Sequence, residues 1–174
     1  MILSLTSKQT ACLAGVAVLL LLNFGCKKES KKTKITVAFD YSKFLEMRQN
    51  WNNLNVENYE YTYLHQGCIC FSLKYTVKQD TVIKTEPVTT VCTSFGPPLY
   101  YTINQIFSNI EAQYLNPYVQ EIDNETYVYC YEMKVRYDST YYYPNYYEFN
   151  YAAKNVTNFC PQVKETLTNF KIQQ

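Results

Sequence analysis

The chain has 174 residues, of which 19 are tyrosine and only four are glycine, and its formal net charge is +1. Six of the 16 basic residues but only one of the 15 acidic residues precede Phe39, so acidic residues outnumber basic ones by four from Phe39 onward. Proteins bind nucleic acid largely by neutralising its phosphates, and an acidic domain therefore counts against a nucleic-acid partner.

The first 25 residues read as an export signal. Their apolar run, Ala11–Leu22, is shorter than the roughly 20 residues needed to cross a bilayer. The segment that follows, Leu22-Asn23-Phe24-Gly25-Cys26, resembles the bacterial lipobox. The resemblance implies that Cys26 is acylated and becomes the first mature residue. The alternative is an ordinary cleaved signal peptide with an incidental cysteine.

Residues 26–38 are polar and rich in lysine, which is typical of a flexible tether between a lipid anchor and a folded domain. Residues 39–174 are then a single domain. We expect a protein of the cell envelope, anchored to a membrane by its lipid and facing the periplasm or the exterior. Such a compartment is oxidising, so cysteines are expected to form disulfides.

The first predicted helix is Tyr41–Leu54, with Ser42 as its N-cap. Phe44, Met47, Trp51 and Leu54 recur at helical spacing and predict its buried face.

Alternation with period two then predicts three strands, at Tyr59–Leu64, Cys68–Lys78 and Thr81–Glu86. In the second of these, Ile69 and Phe71 share the apolar face, and Cys68 and Cys70 share the polar one. Lys78-Gln79-Asp80 is the expected hairpin turn.

A second helix is predicted to begin at Thr102, which forms a capping box with Gln105, and to end at Asn116-Pro117. Two further strands follow, at Thr126–Tyr137 and Tyr146–Tyr151, and Glu165–Ile172 is the candidate for a third. Strict alternation along the first of them places Tyr131 on the apolar face and Cys130 on the polar face.

The order of helix, three strands, helix and two or three strands predicts an α+β domain. We expect an antiparallel, meandering sheet of five to six strands with both helices packed on one face.

These residues resemble an uncharacterised family of small bacterial secreted and lipid-anchored proteins, a domain of unknown function. The resemblance covers most of residues 47–150 and depends on the order of several short motifs. They are Trp51, Tyr59-Glu60-Tyr61-Thr62-Tyr63, Cys68-Ile69-Cys70, Tyr75-Thr76-Val77, Thr102-Ile103 with Phe107, Tyr137-Asp138 and Tyr143-Pro144. Tyr142 stands where the family has glycine. The family implies a fold and a location but no activity.

Five cysteines fall in the predicted domain and are disulfide candidates in an oxidising compartment. They are Cys68, Cys70, Cys92, Cys130 and Cys160. Three of them are predicted on the polar side of the sheet, where bridges would staple strands and loops together. The pairing does not follow from the sequence, and one cysteine is left over.

The sequence favours a binding or envelope-associated module over an enzyme, and it predicts no cofactor. His65 is the only histidine, and no phosphate-binding loop or hydrolase motif is present. The alternative is an extracytoplasmic metal site built from His65, Cys68 and Cys70, since thiolate and imidazole suit zinc or copper.

A protein or glycan partner would be met by tyrosines near one end of the sheet, because exposed tyrosines are good contact residues. The predicted contact patch is Tyr141, Tyr142, Tyr143 and Tyr146.

Overall fold

A computed structural model describes residues 36–88, 101–117, 119–121 and 127–173, which all fall in one compact unit spanning residues 35–174. The helices are α1 (Tyr41–Leu54) and α2 (Ile103–Leu115). The strands are β1 (Tyr59–Gln66), β2 (Cys70–Lys78), β3 (Thr81–Pro87), β4 (Val119–Glu121), β5 (Tyr127–Tyr137), β6 (Pro144–Lys154) and β7 (Gln162–Ile172). The predicted signal peptide, Cys26, most of the tether and Cys92 lie outside the described residues.

The seven strands form one antiparallel sheet in the order β3-β2-β1-β7-β6-β5-β4. The α+β class and the antiparallel sheet are confirmed, but the sheet is not a single meander. Strands β1 to β3 form one meander and β4 to β7 another, and pairing of β1 with β7 joins them. The sequence missed β4, because three residues are too few for an alternating pattern to show.

Strand β1 supplies the centre of the core. Its tyrosines Tyr59, Tyr61 and Tyr63 alternate onto one face and are almost completely buried. The ring of Trp51 from α1 meets the ring of Tyr59 edge-on, with centroids 5.7 Å apart. The Tyr59 hydroxyl accepts a hydrogen bond of 2.8 Å from the backbone N–H of Ile103, in the first turn of α2.

The two helices also contact each other. Phe44 of α1 packs edge-on against Phe107 of α2, with ring centroids 5.7 Å apart. The Arg48 guanidinium forms an ion pair of 2.6 Å with Glu111. The Trp51 indole donates a hydrogen bond of 3.0 Å to Asn104. Apolar and polar contacts therefore fix α1 against α2.

Helix α1 has the predicted bounds, but its cap is different. The side chain of Asp40, not Ser42, accepts the hydrogen bond from the Lys43 backbone, at 3.0 Å. Leu54 is 39% exposed rather than buried, because it belongs to the last turn, beyond the reach of the core. Asn55 ends the helix in the left-handed conformation.

Helix α2 confirms the predicted capping box. The Thr102 hydroxyl accepts from the Gln105 backbone at 3.2 Å, and the Gln105 side chain accepts from the Thr102 backbone at 2.8 Å. The buried residues are Ile103, Ile106, Phe107 and Ile110. The apolar stripe predicted for this helix also includes Tyr114, which is half-buried.

A β-bulge in β5 reverses the predicted facing of part of that strand. Cys130 pairs with Tyr151 and Glu132 pairs with Asn150, so Tyr131 is an extra residue without an opposite number. Val128 and Cys130 therefore face the core, as Met133 does, and Tyr131 is exposed. The prediction that Cys130 lies on the polar face was wrong, because strict alternation does not survive an inserted residue.

The folded domain begins earlier than Phe39. Val37 is buried in the core, and Ala38 forms a parallel bridge with Glu132 beside the bulge. The Ala38 N–H donates to Tyr131 O, and the Met133 N–H donates to Ala38 O, each at 3.0 Å. The predicted tether, residues 26–38, includes Val37 and Ala38, so its C-terminal bound is wrong.

The capping assignment of α1 can be tested with two alanine variants. Asp40→Ala should lower the free energy of unfolding by about 1 kcal/mol, because it leaves a first-turn N–H without its acceptor. Ser42→Ala should change it by less than about 0.5 kcal/mol, as expected of an exposed surface position. Urea denaturation followed by circular dichroism measures both values. A larger loss from Ser42→Ala than from Asp40→Ala would contradict the assignment.

Candidate functional site

One cluster brings together three of the side chains that the sequence singled out for chemistry, His65, Cys68 and Cys160. It lies where β1 ends, at the bend of residues 67–69 before β2 and at the start of β7. We call His65, Cys68, Cys160 and Glu165 the thiol–histidine cluster. Strand pairing builds it, since His65 stands opposite Phe71 of β2 and opposite Glu165 of β7.

His65 is held on both sides. Its ring stacks on Phe71, with centroids 4.7 Å apart and planes 14° apart. Its Nδ1 lies 2.7 Å from Glu165 Oε1. With Glu165 ionised, Nδ1 carries the proton in this contact, and Nε2 of a neutral ring is left as the basic nitrogen.

Glu165 is only 5% exposed. Burial raises the pKa of its carboxyl group, although the hydrogen bond and charge of His65 and the nearby Tyr63 hydroxyl oppose the rise. Its second oxygen, Oε2, is buried and has no well-formed hydrogen bond to any described residue. Glu165 is therefore a buried ionisable group with a raised pKa, and the sequence did not single it out.

Gly67 leaves space between the histidine and the thiols. A Cβ added at Gly67 would lie 3.4 Å from His65 Nε2 and 3.5 Å from Cys160 Sγ. The Cys160 thiol donates a hydrogen bond of 3.5 Å to Gln162 O. The polar interaction with the neighbouring Cys160 thiol, together with burial, raises the pKa of Cys68. A raised pKa disfavours the nucleophilic thiolate.

The other cysteines lie apart from this cluster. Cys70 opens β2 and is disulfide-bonded, as predicted for a cysteine in this set. Cys130 is a free thiol with no exposed surface, and burial raises its pKa. Cys68 and Cys160 are also free. The alternation of the strands predicts that Cys68, Cys70 and Cys130 share the polar side of the sheet. The structure contradicts this prediction, because Cys130 lies in the core.

The predicted metal ligands are not arranged as a metal site. Within residues 36–88, 101–117 and 127–173, no group of three or more His, Cys, Asp or Glu side chains is placed to hold a metal ion. Cys70 is disulfide-bonded and offers no thiolate. The alternative of a metal site at His65, Cys68 and Cys70 gains no support from this geometry.

The predicted tyrosine contact patch is divided by the fold. Tyr143 is only 4% exposed and stacks on Phe170, so it is a core residue. Tyr141 is half-buried against the same phenylalanine, and Tyr142 is half-buried in the left-handed conformation. Tyr146 belongs instead to the opposite side of the sheet. These four tyrosines do not form one exposed patch.

A second candidate site lies on the sheet face that carries Tyr146. Cross-strand pairing sets Glu132 beside Asn150 and Lys134 beside Glu148. On the other side of β6, Asn150 pairs with Gln162 and Glu148 pairs with Lys164. We call Glu132, Lys134, Tyr146, Glu148, Asn150 and Gln162 the polar face.

Hydrogen bonds connect the polar face through Glu148 and Asn150. Glu148 accepts from the Tyr146 hydroxyl, from Asn150 at 2.8 Å and from Lys134 at 3.5 Å. Asn150 also donates to Glu132 at 2.9 Å and accepts from Gln162 at 2.9 Å. Burial raises the pKa of Glu148, but the bonds from Tyr146, Asn150 and Lys134 outweigh it and lower the pKa overall. The array is ordered before any ligand arrives.

The fold and the two sites define an α+β domain with a polar sheet face and a thiol–histidine cluster. Neither α1 nor α2 has the length and hydropathy of a membrane-spanning helix. No family model, curated protein or solved structure matches the chain. The resemblance to the secreted and lipid-anchored family therefore stays a prediction.

The two buried glutamates should affect the pH dependence of stability in opposite directions. Folding raises the pKa of Glu165, so its contribution is fully present below the unfolded pKa of about 4.3 and is lost as pH rises through the folded pKa. Glu165→Gln cannot ionise and escapes this loss. Its free energy of unfolding relative to wild type should therefore rise between about pH 4 and neutral pH.

Glu148→Gln is the matched control with the opposite sign. The lowered pKa of Glu148 contributes stability above its unfolded pKa, and this is lost as pH falls through the folded pKa. Glu148→Gln should therefore lose stability relative to wild type as pH rises from the folded pKa of Glu148 to its unfolded pKa of about 4.3, and change little above that pH. Denaturant titrations at several pH values measure both differences. Parallel pH profiles for the two variants would contradict the assigned directions.

Proposed function

We propose that the chain is a lipid-anchored protein of the bacterial envelope whose domain binds an envelope component without catalysing a reaction. The anchor is Cys26, and the support for it is the lipobox-like segment followed by the lysine-rich tether. The family resemblance supports the same location.

We infer that both helices cover one face of the sheet. Trp51 of α1 and the first turn of α2 both contact Tyr59, and the Tyr61 hydroxyl donates to the carbonyl of Tyr101, just before α2. The polar face has the opposite parity in β5 and β6 from the core residues Met133 and Tyr147. It is thus the side of the sheet that the helices leave to a ligand.

The ordered hydrogen-bond array of the polar face is the observation that carries the binding proposal. Its carboxylate, amide and ammonium groups are already oriented, so a ligand loses less freedom in ordering them. Among the described residues, exposed large apolar side chains such as Leu45, Ile83 and Leu115 lie on separate elements and do not form an apolar interface core. This chemistry favours a hydroxyl-rich ligand, an envelope glycan, over an apolar protein surface.

The properties of the thiol–histidine cluster support a binding function rather than thiol catalysis. A thiol nucleophile needs a lowered pKa or an adjacent base. The pKa of Cys68 is raised, and the neighbouring group that raises it is the Cys160 thiol rather than His65. Glu165 is buried and has a raised pKa, which makes it a weak partner for an imidazolium.

The lipid anchor predicts the outcome of metabolic labelling in a bacterial host. Radiolabelled palmitate should enter the wild-type chain and be lost in Cys26→Ala. Cys12→Ala is the matched control, because Cys12 lies inside the apolar run of the leader and should leave labelling unchanged. Label that persists in Cys26→Ala would rule out the assignment.

Glycan binding can be tested by co-sedimentation of the full-length Cys26→Ala chain with purified peptidoglycan. Lys134→Ala and Glu132→Gln change partly exposed members of the polar face and should each weaken binding about tenfold, the loss expected for one charged hydrogen bond. Glu46→Gln, exposed on α1, is the control and should bind as the parent does.

Circular dichroism would show that each variant is folded. Equal binding by all three variants, or binding of an envelope protein but not of the glycan, would contradict the proposed ligand. Loss of binding in Glu46→Gln alone would place the site on the helices.

A further inference from the structure

The structure brings together two free thiols from distant parts of the chain. Cys68 lies in the bend of residues 67–69 between β1 and β2, where its side chain is exposed. Cys160 lies two residues before β7. Gln66, at the end of β1, pairs with Cys70 on one side and with Lys164 on the other. The bend is therefore set beside the segment that enters β7.

Two observations place Cys160 next to the bend that carries Cys68. An added Cβ at Gly67, the neighbour of Cys68, would lie 3.5 Å from Cys160 Sγ. The Cys160 thiol is also close enough to raise the pKa of Cys68. A disulfide requires two cysteines whose backbones already approach within about 7 Å. Pairing on both sides of Gln66 holds the bend that carries Cys68 beside the segment that enters β7.

We propose that Cys68 and Cys160 form a disulfide bond that fastens the β1–β2 bend to the start of β7. The bond would close over the end of β1 where His65 contacts Glu165. It does not depend on the proposed glycan ligand, and it requires only an oxidant of the disulfide class, such as oxidised glutathione or a protein dithiol oxidase.

The chemistry balances as two successive thiol–disulfide exchanges. The Cys68 thiolate attacks the oxidant's disulfide, forms a mixed disulfide and releases one thiolate. The Cys160 thiolate then attacks the Cys68 sulfur, forms the Cys68–Cys160 bond and releases the second thiolate. The protein loses two protons and two electrons in total, and the oxidant's disulfide is reduced to two thiols.

The remaining described cysteines do not compete for this pairing. Cys70 is already disulfide-bonded. Cys130 has no exposed surface, and its thiol donates to Glu132 O at 3.6 Å, within the core. The raised pKa of Cys68 marks a thiol that attacks slowly at neutral pH, which suits a bond made once rather than a turnover centre.

Peptide mapping tests the proposal on the full chain. The purified protein is treated with oxidised glutathione, its free thiols are alkylated, and it is digested without reduction for mass spectrometry. A peptide pair linked through Cys68 and Cys160 is expected in the wild type and in Cys130→Ala, and none in Cys160→Ser. Alkylation of both Cys68 and Cys160 in the folded, oxidised protein, or a link from Cys68 to any other cysteine, would overturn the proposal.

Thermal melting gives a second readout. Reductant also breaks the bond at Cys70, so the informative quantity is the fall in Tm on reduction in wild type minus that in Cys160→Ser. This difference should be about 10 °C for a bond that closes so long a loop. No difference between the two proteins would overturn the proposal even if both fold.

Discussion

The fold depends on the burial of three tyrosines along one strand. Each ring of Tyr59, Tyr61 and Tyr63 adds a large apolar area to the core, but each also brings a hydroxyl that must be satisfied away from water. Tyr59 accepts from the first turn of α2, and Tyr61 donates to the carbonyl of Tyr101. Burial raises the pKa of all three phenols. The hydrogen bonds of the Tyr59 and Tyr61 hydroxyls therefore help to fix where α2 begins.

Local and long-range interactions agree at the start of α2. The capping box of Thr102 and Gln105 needs only neighbouring residues, whereas the bond from Ile103 to Tyr59 needs the folded core. Both place the first helical turn at the same residue. Such agreement between local preference and tertiary structure is typical of sequences that specify one fold. It also explains why the sequence predicted this helix so well.

Elements whose signals are local were predictable, and features set by distant residues were not. The bounds of α1, the hairpin turn at Gln79-Asp80 and the tyrosine face of β1 follow from spacing alone. The bulge at Tyr131 does not, because Ala38 hydrogen-bonds to both sides of it from far away in the chain. One inserted residue was enough to carry Cys130 from the predicted polar face into the core. The pairing of β1 with β7 was equally invisible to periodicity.

The candidate sites divide in the same way. His65 and Cys68 stood out as residue types, but their partners Glu165 and Cys160 are placed by strand register. The polar face does have a signal in the sequence, a set of polar residues on one side of two consecutive strands. Glu132 and Lys134 in one strand, and Glu148 and Asn150 in the next, share the non-core parity of a hairpin. Polar residues that share one face of two consecutive strands indicate a polar surface. The abundance of tyrosine instead suggested a contact patch that includes Tyr143, which is buried in the core.

Joining the two meanders through β1 and β7 makes the sheet a structure of high contact order. Strand β1, the third strand from one edge, pairs with β2 and β7, so its second neighbour is the last strand of the chain to be synthesised. Until then β1 and β6 both present unpaired backbone, and such edges invite pairing with other chains. Pairing of remote strands also slows folding, since long loops must close first. If the chain crosses a membrane unfolded, this slow step takes place after export. The tyrosine-rich strand β1 then stays without its second neighbour until β7 has also been exported.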